Sequence, residues 1–188
     1  MAFLNTHPAS STPAPNGDVK VEISLAELAR LVGMSQQQRL IGVFESSPPQ
    51  SRVSTVTLRR VRASGGGMMI GFHTDVSYKT MQVPLNQQAE YRGGRVVYAR
   101  PDGFVCPDRP PGSYTIHDAR VLHGVTRLVS GERYSLFLQT TSEKEASGDA
   151  SLALESMAVD CAAGRDREGQ RERSLLEQEI VYGAGNGG

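Results

Sequence analysis

The sequence predicts a mainly β domain with flanking helices, its strands folded as a double-stranded β-helix, that is, a cupin-like jelly roll. Three observations lead there. Between residues 51 and 141, short runs rich in Val, Thr, Tyr, Phe and Ile alternate with Gly, Pro, Asp and Asn turn signals. No amphipathic helix interrupts these runs, which excludes parallel crossover units. Eight short strands at this spacing fit a double-sheet barrel.

The elements follow in order. Residues 1–17 are rich in Ser, Thr, Pro, Ala and Asn without an apolar period. They bury too little surface to offset their ordering entropy and read as a disordered tail. Residues 18–50 read as a helical support. Ser24 and Glu27 form a capping-box pattern, with Leu25, Leu28, Leu31 and Val32 at helical spacing and Gly33 as the stop. A second helix is expected from about Ser35 to Glu45, ended by Pro48-Pro49.

This pair has a rival reading. Leu28 to Ser35 resembles the first helix and turn of a helix-turn-helix DNA reader spanning residues 24–45. The position that should bury an aliphatic side chain on the second helix is Arg39, however, and no third helix follows. A helical hairpin packed on a sheet is therefore preferred, and no nucleic-acid partner is expected.

The eight strands are placed at 53–63, 67–75, 80–85, 94–99, 103–106, 112–118, 121–129 and 133–139. Their turn signals include Gly65-Gly66, Gly93-Gly94, Asp102-Gly103 and Ser130-Gly131. Together they make residues 51–141 the core. Residues 142–188 return to a helical, charged texture and end in a frayed Gly-rich tail.

Bulk properties narrow the function classes. Lys plus Arg equals Asp plus Glu, twenty each, so no global field draws the chain to nucleic acid or an anionic membrane. No apolar run is long enough to span a bilayer. Cys106 and Cys161 are too few and too far apart for a disulfide framework or a zinc site. The first seventeen residues carry no Lys or Arg and lack a secretory layout. An intracellular, cytoplasmic domain is the expectation.

Chemistry concentrates in two segments. On a strand, residues i and i+2 share a face, so His73 and Asp75 project together with Thr74 opposite. Gly71 leaves room beside them. His123, on the seventh strand beside the second in a jelly roll, would supply a third ligand. Two histidines and a carboxylate on one face are the ligand set of a mononuclear non-haem iron site. Beyond Gly131, Arg133 and Ser135 share a face, and a guanidinium there can grip a carboxylate through two charge-assisted hydrogen bonds.

The stretch from Thr57 to Thr140 resembles the catalytic core of the Fe(II)- and 2-oxoglutarate-dependent dioxygenases, in particular the prolyl 4-hydroxylase-like branch. The matching pieces are His73-Thr-Asp75, Val83-Pro-Leu-Asn86, Glu90-Tyr-Arg-Gly-Gly94-Arg-Val-Val-Tyr98, Gly112 to Asp118, His123-Gly-Val125 and Gly131-x-Arg133. The resemblance implies Fe(II) on His73, Asp75 and His123, with Arg133 on the distal carboxylate of 2-oxoglutarate. It further implies oxidative decarboxylation to succinate and carbon dioxide coupled to hydroxylation of a substrate, with ascorbate as a candidate reductant. The substrate would be a protein, a peptide or a small molecule, with peptidyl proline the guess by analogy. Asp75 favours hydroxylation over halogenation.

Two departures refine this. Pro84 stands where many hydroxylases of the branch have a tyrosine contact to the co-substrate, a role open here to Tyr98, Tyr78 or Ser135. Gln139 stands where nucleic-acid demethylating relatives carry a second arginine, which argues against nucleobase repair. His117 reads as a turn or outer-sphere residue, Met68, Met69 and Met81 as core filling, and Cys106 as a small buried residue. A jelly-roll module that binds without catalysing is the alternative.

Overall fold

One strand, β10 (Leu128–Thr140), runs through the middle of the larger sheet, and the other elements are arranged about it. That sheet has the order β1 (Val19–Ile23), β2 (Thr55–Arg62), β10, β4 (Lys79–Pro84), β8 (Thr115–Asp118), with β5 (Tyr91–Gly93) paired to the start of β10. The smaller sheet has the order β3 (Ile70–His73), β9 (His123–Val125), β6 (Val96–Arg100), β7 (Gly103–Val105). All pairings are antiparallel. The computed structural model describes residues 3–4, 18–63, 70–100, 103–110 and 112–141. No described helix is long and apolar enough to cross a membrane.

Two antiparallel sheets with two supporting helices are what the sequence predicts. The strand inventory differs in detail. Val19–Ile23, expected within the helical support, forms an edge strand on β2 with Val19, Val21 and Ile23 buried. Its strict alternation of apolar and polar residues is a strand pattern that the nearby helix signals overshadowed. The run expected at 121–129 splits into β9 and the start of β10. Ser130-Gly131 is not a turn but part of one continuous strand, paired with Arg92 and Tyr91 just beyond a register shift between Leu128 and Ser130. Gly131 has φ +81°, and a Cβ there would meet the Glu90 carbonyl oxygen at 2.5 Å, so β5 can lie against β10 only over a glycine. Leu4 is buried in the core with Phe3 packed beside it, contrary to a wholly disordered tail. The segment 142–188 lies outside the described residues.

Helix α1 (Leu25–Val32) starts as its capping box requires. Ser24 Oγ accepts from the Glu27 amide at 3.1 Å, and Glu27 Oε2 accepts from the Ser24 amide at 2.8 Å. Gly33, at φ +87°, donates to Ala29 O at 2.8 Å and leads directly into α2 (Met34–Ser46). Leu28 and Phe44 are the fully buried side chains of the pair, set into the outer face of the large sheet with Val21, Leu58, Met81, Leu136 and Leu138. Each such side chain contributes roughly 1.5–3 kcal/mol on burial. The pair is therefore a hairpin packed on the sheet, with Arg39 exposed.

The main core thus lies between helices and sheet, outside the barrel. The other face of the large sheet is polar: Thr80, Gln82, Thr115, His117, Arg133 and Ser135 alternate with the core residues and are all buried. Period-two alternation with one apolar and one polar buried face leaves a hydrophilic chamber between the sheets.

Lys79 joins the helices to the sheet. Its Nζ donates to Ser47 O and Pro49 O, each at 2.8 Å, and lies 4.4 Å from the centre of the Phe44 ring. Burial pushes its ammonium down to about 8, against a smaller opposing pull from Glu45. In the unfolded chain the lysine holds its proton to near 10.5, so between pH 8 and 10.5 the unfolded state binds more protons and raising the pH favours the folded one. The urea-unfolding free energy of the wild type relative to Lys79→Met is expected to grow by about 1–2 kcal/mol from pH 8 to 9.5, below the range where tyrosines titrate. A flat difference would show that the folded lysine keeps its ordinary affinity for protons.

Candidate metal centre

The pairing of β3 with β9 sets His73 directly opposite His123. Their rings lie 4.5 Å apart between centroids. Each ring is oriented by its own backbone: His73 Nδ1 lies 2.9 Å from Gly71 O, and His123 Nδ1 lies 3.1 Å from Val121 O. A carbonyl can only accept, so Nδ1 carries the proton and Nε2 keeps its lone pair. Burial holds the His123 imidazole below its ordinary pKa, and the neighbouring His117 adds to this, which favours the neutral, ligating form.

Asp75 arrives differently from the strand-alternation expectation. Strand β3 ends at His73, and Asp75 sits in the turn beyond it. What places it is a pair of hydrogen bonds from the large sheet. Thr80 Oγ1 donates to Asp75 Oδ2 at 2.6 Å, and His117 Nε2 lies 3.0 Å from the same oxygen. The other oxygen, Oδ1, is thereby turned toward the two histidines, 3.6 Å from His73 Nε2 and 3.7 Å from His123 Nε2. Burial alone would raise the carboxyl's pKa. The bonds from His117 and Thr80 overcome this and hold it well below the usual carboxylate range.

One ligand atom from each of His73, Asp75 and His123 lies within 4.8 Å of the others. Metal–ligand bonds of about 2.0–2.2 Å leave neighbouring donors roughly 3 Å apart, so closure on an ion needs only small side-chain adjustments. Two neutral imidazoles and one ionised carboxylate suit a divalent iron and leave open positions. The residues present fit the group.

His117 bonds to the carboxylate and stands outside the metal-ligating cluster, as an outer-sphere residue. Its ring is buried, packs 4.5 Å from the His123 ring, and orients the carboxylate.

The chamber behind the triad is lined with charge. Arg133, 7% exposed, makes no ion pair among the described residues, and its Nη2 is buried without a partner. Burial pushes the guanidinium down to about 10, and Arg109 beside it pushes the same way. Ser135 is buried two residues on, facing the same side. Tyr98 is buried on β6, with its hydroxyl donating to Thr115 Oγ1 at 3.0 Å across the two sheets. Asp75 bonds to Thr80 and His117 and Tyr98 bonds to Thr115, and these three partners stand with Arg133 on the same buried inner face, so triad and Arg133 share one chamber. Tyr78, by contrast, is only half-buried, in the stretch that leads into β4. Gln139 bonds to Ser77 Oγ at 2.9 Å. Arg109 escaped the sequence reading because it follows Asp108 and precedes two prolines, a pattern that reads as a solvated turn.

No family model matches the chain, and no curated protein matches it in sequence. Solved structures do match. One is an oxidoreductase of the 2OG-Fe(II) oxygenase family from Burkholderia pseudomallei, at 15% identity and TM-score 0.54, covering 73% of this chain and 74% of that one. A prolyl hydroxylase from Trichoplax adhaerens, in complex with a peptide fragment of the hypoxia inducible factor oxygen degradation domain, matches at 18% identity and TM-score 0.52, covering 74% and 70%. A prolyl 4-hydroxylase from Phytophthora capsici matches at 17% identity and TM-score 0.53, covering 96% of this chain and 62% of that one. Likeness at this identity speaks for architecture. The chain has the double-stranded β-helix fold found in these oxygenases, and where its two sheets meet it carries a His–Asp–His cluster able to hold a metal ion.

Proposed function

We propose that the protein is an Fe(II)- and 2-oxoglutarate-dependent dioxygenase that hydroxylates its substrate, with peptidyl proline the first substrate class to test. The observation that carries this reading is a pairing. The His73, Asp75, His123 cluster shares its chamber with a buried arginine, Arg133, that makes no ion pair among the described residues. A metal cluster alone suits many chemistries; beside an unpaired guanidinium it suits a dicarboxylate co-substrate.

When bound, the iron supplies the dioxygen chemistry that couples conversion of 2-oxoglutarate into succinate and carbon dioxide to hydroxylation. The chain's residues do the positioning. His73 and His123 offer Nε2 lone pairs because their Nδ1 protons are held by carbonyls. Thr80 and His117 keep Asp75 ionised and aimed. Arg133 binds the distal carboxylate of 2-oxoglutarate through charge-assisted hydrogen bonds, in a chamber whose low dielectric strengthens them. Tyr98 and Ser135 are the polar neighbours available to the co-substrate where Pro84 offers none. The peptide-bound Trichoplax structure supports testing a peptide first.

The test has two stages. Anaerobic addition of Fe(II) and 2-oxoglutarate should develop a weak visible charge-transfer band. Admission of air, with ascorbate as reductant, should then yield succinate. Folded protein that gives neither band nor succinate would identify the chain as a jelly-roll module without this activity.

A further inference from the structure

A second buried guanidinium is bonded to Gln82, which lines the same chamber. Arg109 is 8% exposed and comes from the irregular segment after β7. Its Nη1 donates to Gln82 Oε1 at 2.9 Å and its Nη2 to Gln82 O at 3.0 Å, which anchors it against the inner face of β4. Both acceptors are neutral. Its Nε is buried without a partner, and it makes no ion pair among the described residues. Gln82 stands opposite Thr115, which accepts from the Tyr98 hydroxyl at 3.0 Å, so Arg109 is tied to the same inner face as Tyr98. Arg59, the other arginine sensed by Arg133, is paired with Asp18 at 2.8 Å and adds no free charge.

Two buried guanidiniums that make no ion pair among the described residues are costly in the ligand-free protein. One, Arg133, is accounted for by 2-oxoglutarate. The charge balance of the filled chamber then becomes informative, on the reading proposed above. Arg109, Arg133 and a ferrous ion bring four positive charges. Asp75 and the two carboxylates of 2-oxoglutarate bring three negative ones. On this count one positive charge is left over, and Arg109 is the guanidinium to which no anion is assigned.

We infer that Arg109 binds an anionic group of the substrate to be hydroxylated, most simply a carboxylate, and so selects acids over neutral compounds. Arg109 is a specificity-determining residue and acts separately from the 2-oxoglutarate anchor. Held by Gln82 through two bonds, its guanidinium is fixed before the substrate arrives, which lowers the ordering cost of binding. The carboxylate can belong to a small organic acid or to an acidic side chain of a peptide.

The experiment uses the full chain as its anaerobic Fe(II)·2-oxoglutarate complex. Acetate and its uncharged isostere acetamide are titrated at constant ionic strength, with thermal stabilisation and the charge-transfer band as readouts. N-acetyl-prolyl-glutamate amide is compared with the glutamine equivalent in a second arm. A wild-type preference for acetate, or for the glutamate peptide, of at least about tenfold is expected, as loss of one charge-assisted hydrogen bond implies. The arm that responds identifies the source of the carboxylate. Arg109→Gln should abolish the preference while weakening 2-oxoglutarate binding far less than Arg133→Met does, and Arg109→Lys, which keeps the charge, should retain much of the preference. No preference in either arm overturns the inference. So does a loss of 2-oxoglutarate binding in Arg109→Gln as large as in Arg133→Met, which would place Arg109 on the co-substrate instead. Failure of the wild type to bind 2-oxoglutarate at all is a different result, and it overturns the proposed function itself.

Discussion

Replacing His73 with alanine abolishes retention of ferrous iron and leaves the fold almost as stable as before. The two halves of this expectation rest on different observations. The His73 side chain is 40% exposed at the end of a short strand, and among the described residues its ring bonds to Gly71 two residues back. It belongs to neither apolar cluster. A substitution of that kind shifts stability by roughly 0.5 kcal/mol, a few degrees of melting temperature at most. For the metal, one of only three protein donors disappears. Removing an outer partner of a ligand already costs about 10–100-fold in affinity, and losing the ligand costs more. Iron content after gel filtration, read beside a thermal melt, checks both halves. Full iron occupancy in the variant would mean that the ion sits elsewhere.

The parts of this centre that were legible in the sequence share one property: they depend on short-range periodicity and spacing. His73 and Asp75 declare themselves by position, and the strand texture around His123 places it on a neighbouring strand, where it is found. Capping at Ser24 and Glu27 is local chemistry, and it formed as written. What was illegible depends on the third dimension. Thr80 and His117 meet at Asp75 Oδ2 only because β4 and β8 are paired in one register, with Thr80 opposite His117. Nothing in the spacing of those residues from Asp75 signals that meeting. Arg109 is the sharper case: its neighbours Asp108, Pro110 and Pro111 all signal solvent, and only tertiary packing against Gln82 buries it. Polar residues alternating with core residues on β4, β8 and β10 look like a solvated face in sequence, since the barrel that encloses that face is closed by the other sheet.

Replacing Arg133 with methionine separates binding from stability, and the two move in opposite directions. Its guanidinium is buried on the inner face of the sheet's central strand, has no ion-pair partner, and has Arg109 as a like-charged neighbour. In the ligand-free protein this arrangement is unfavourable, because desolvation is not repaid by any opposite charge. Methionine fills most of the same volume without the charge, so the variant should be more stable to urea by about 1–4 kcal/mol. Affinity for 2-oxoglutarate should fall by on the order of a hundredfold or more, the usual consequence of truncating one partner of a buried charge pair. Iron content should not change, since Arg133 is not among the metal-cluster residues. The apparent 2-oxoglutarate requirement in the succinate assay should rise in step with the dissociation constant. Titration calorimetry and urea unfolding of the same preparation decide the matter. Unchanged 2-oxoglutarate affinity would remove Arg133 from the co-substrate site. Reduced stability would mean that the empty chamber already satisfies the charge. Gain of stability with loss of binding is the signature of a residue held under electrostatic strain for the sake of its ligand, which a purely structural arginine would not give.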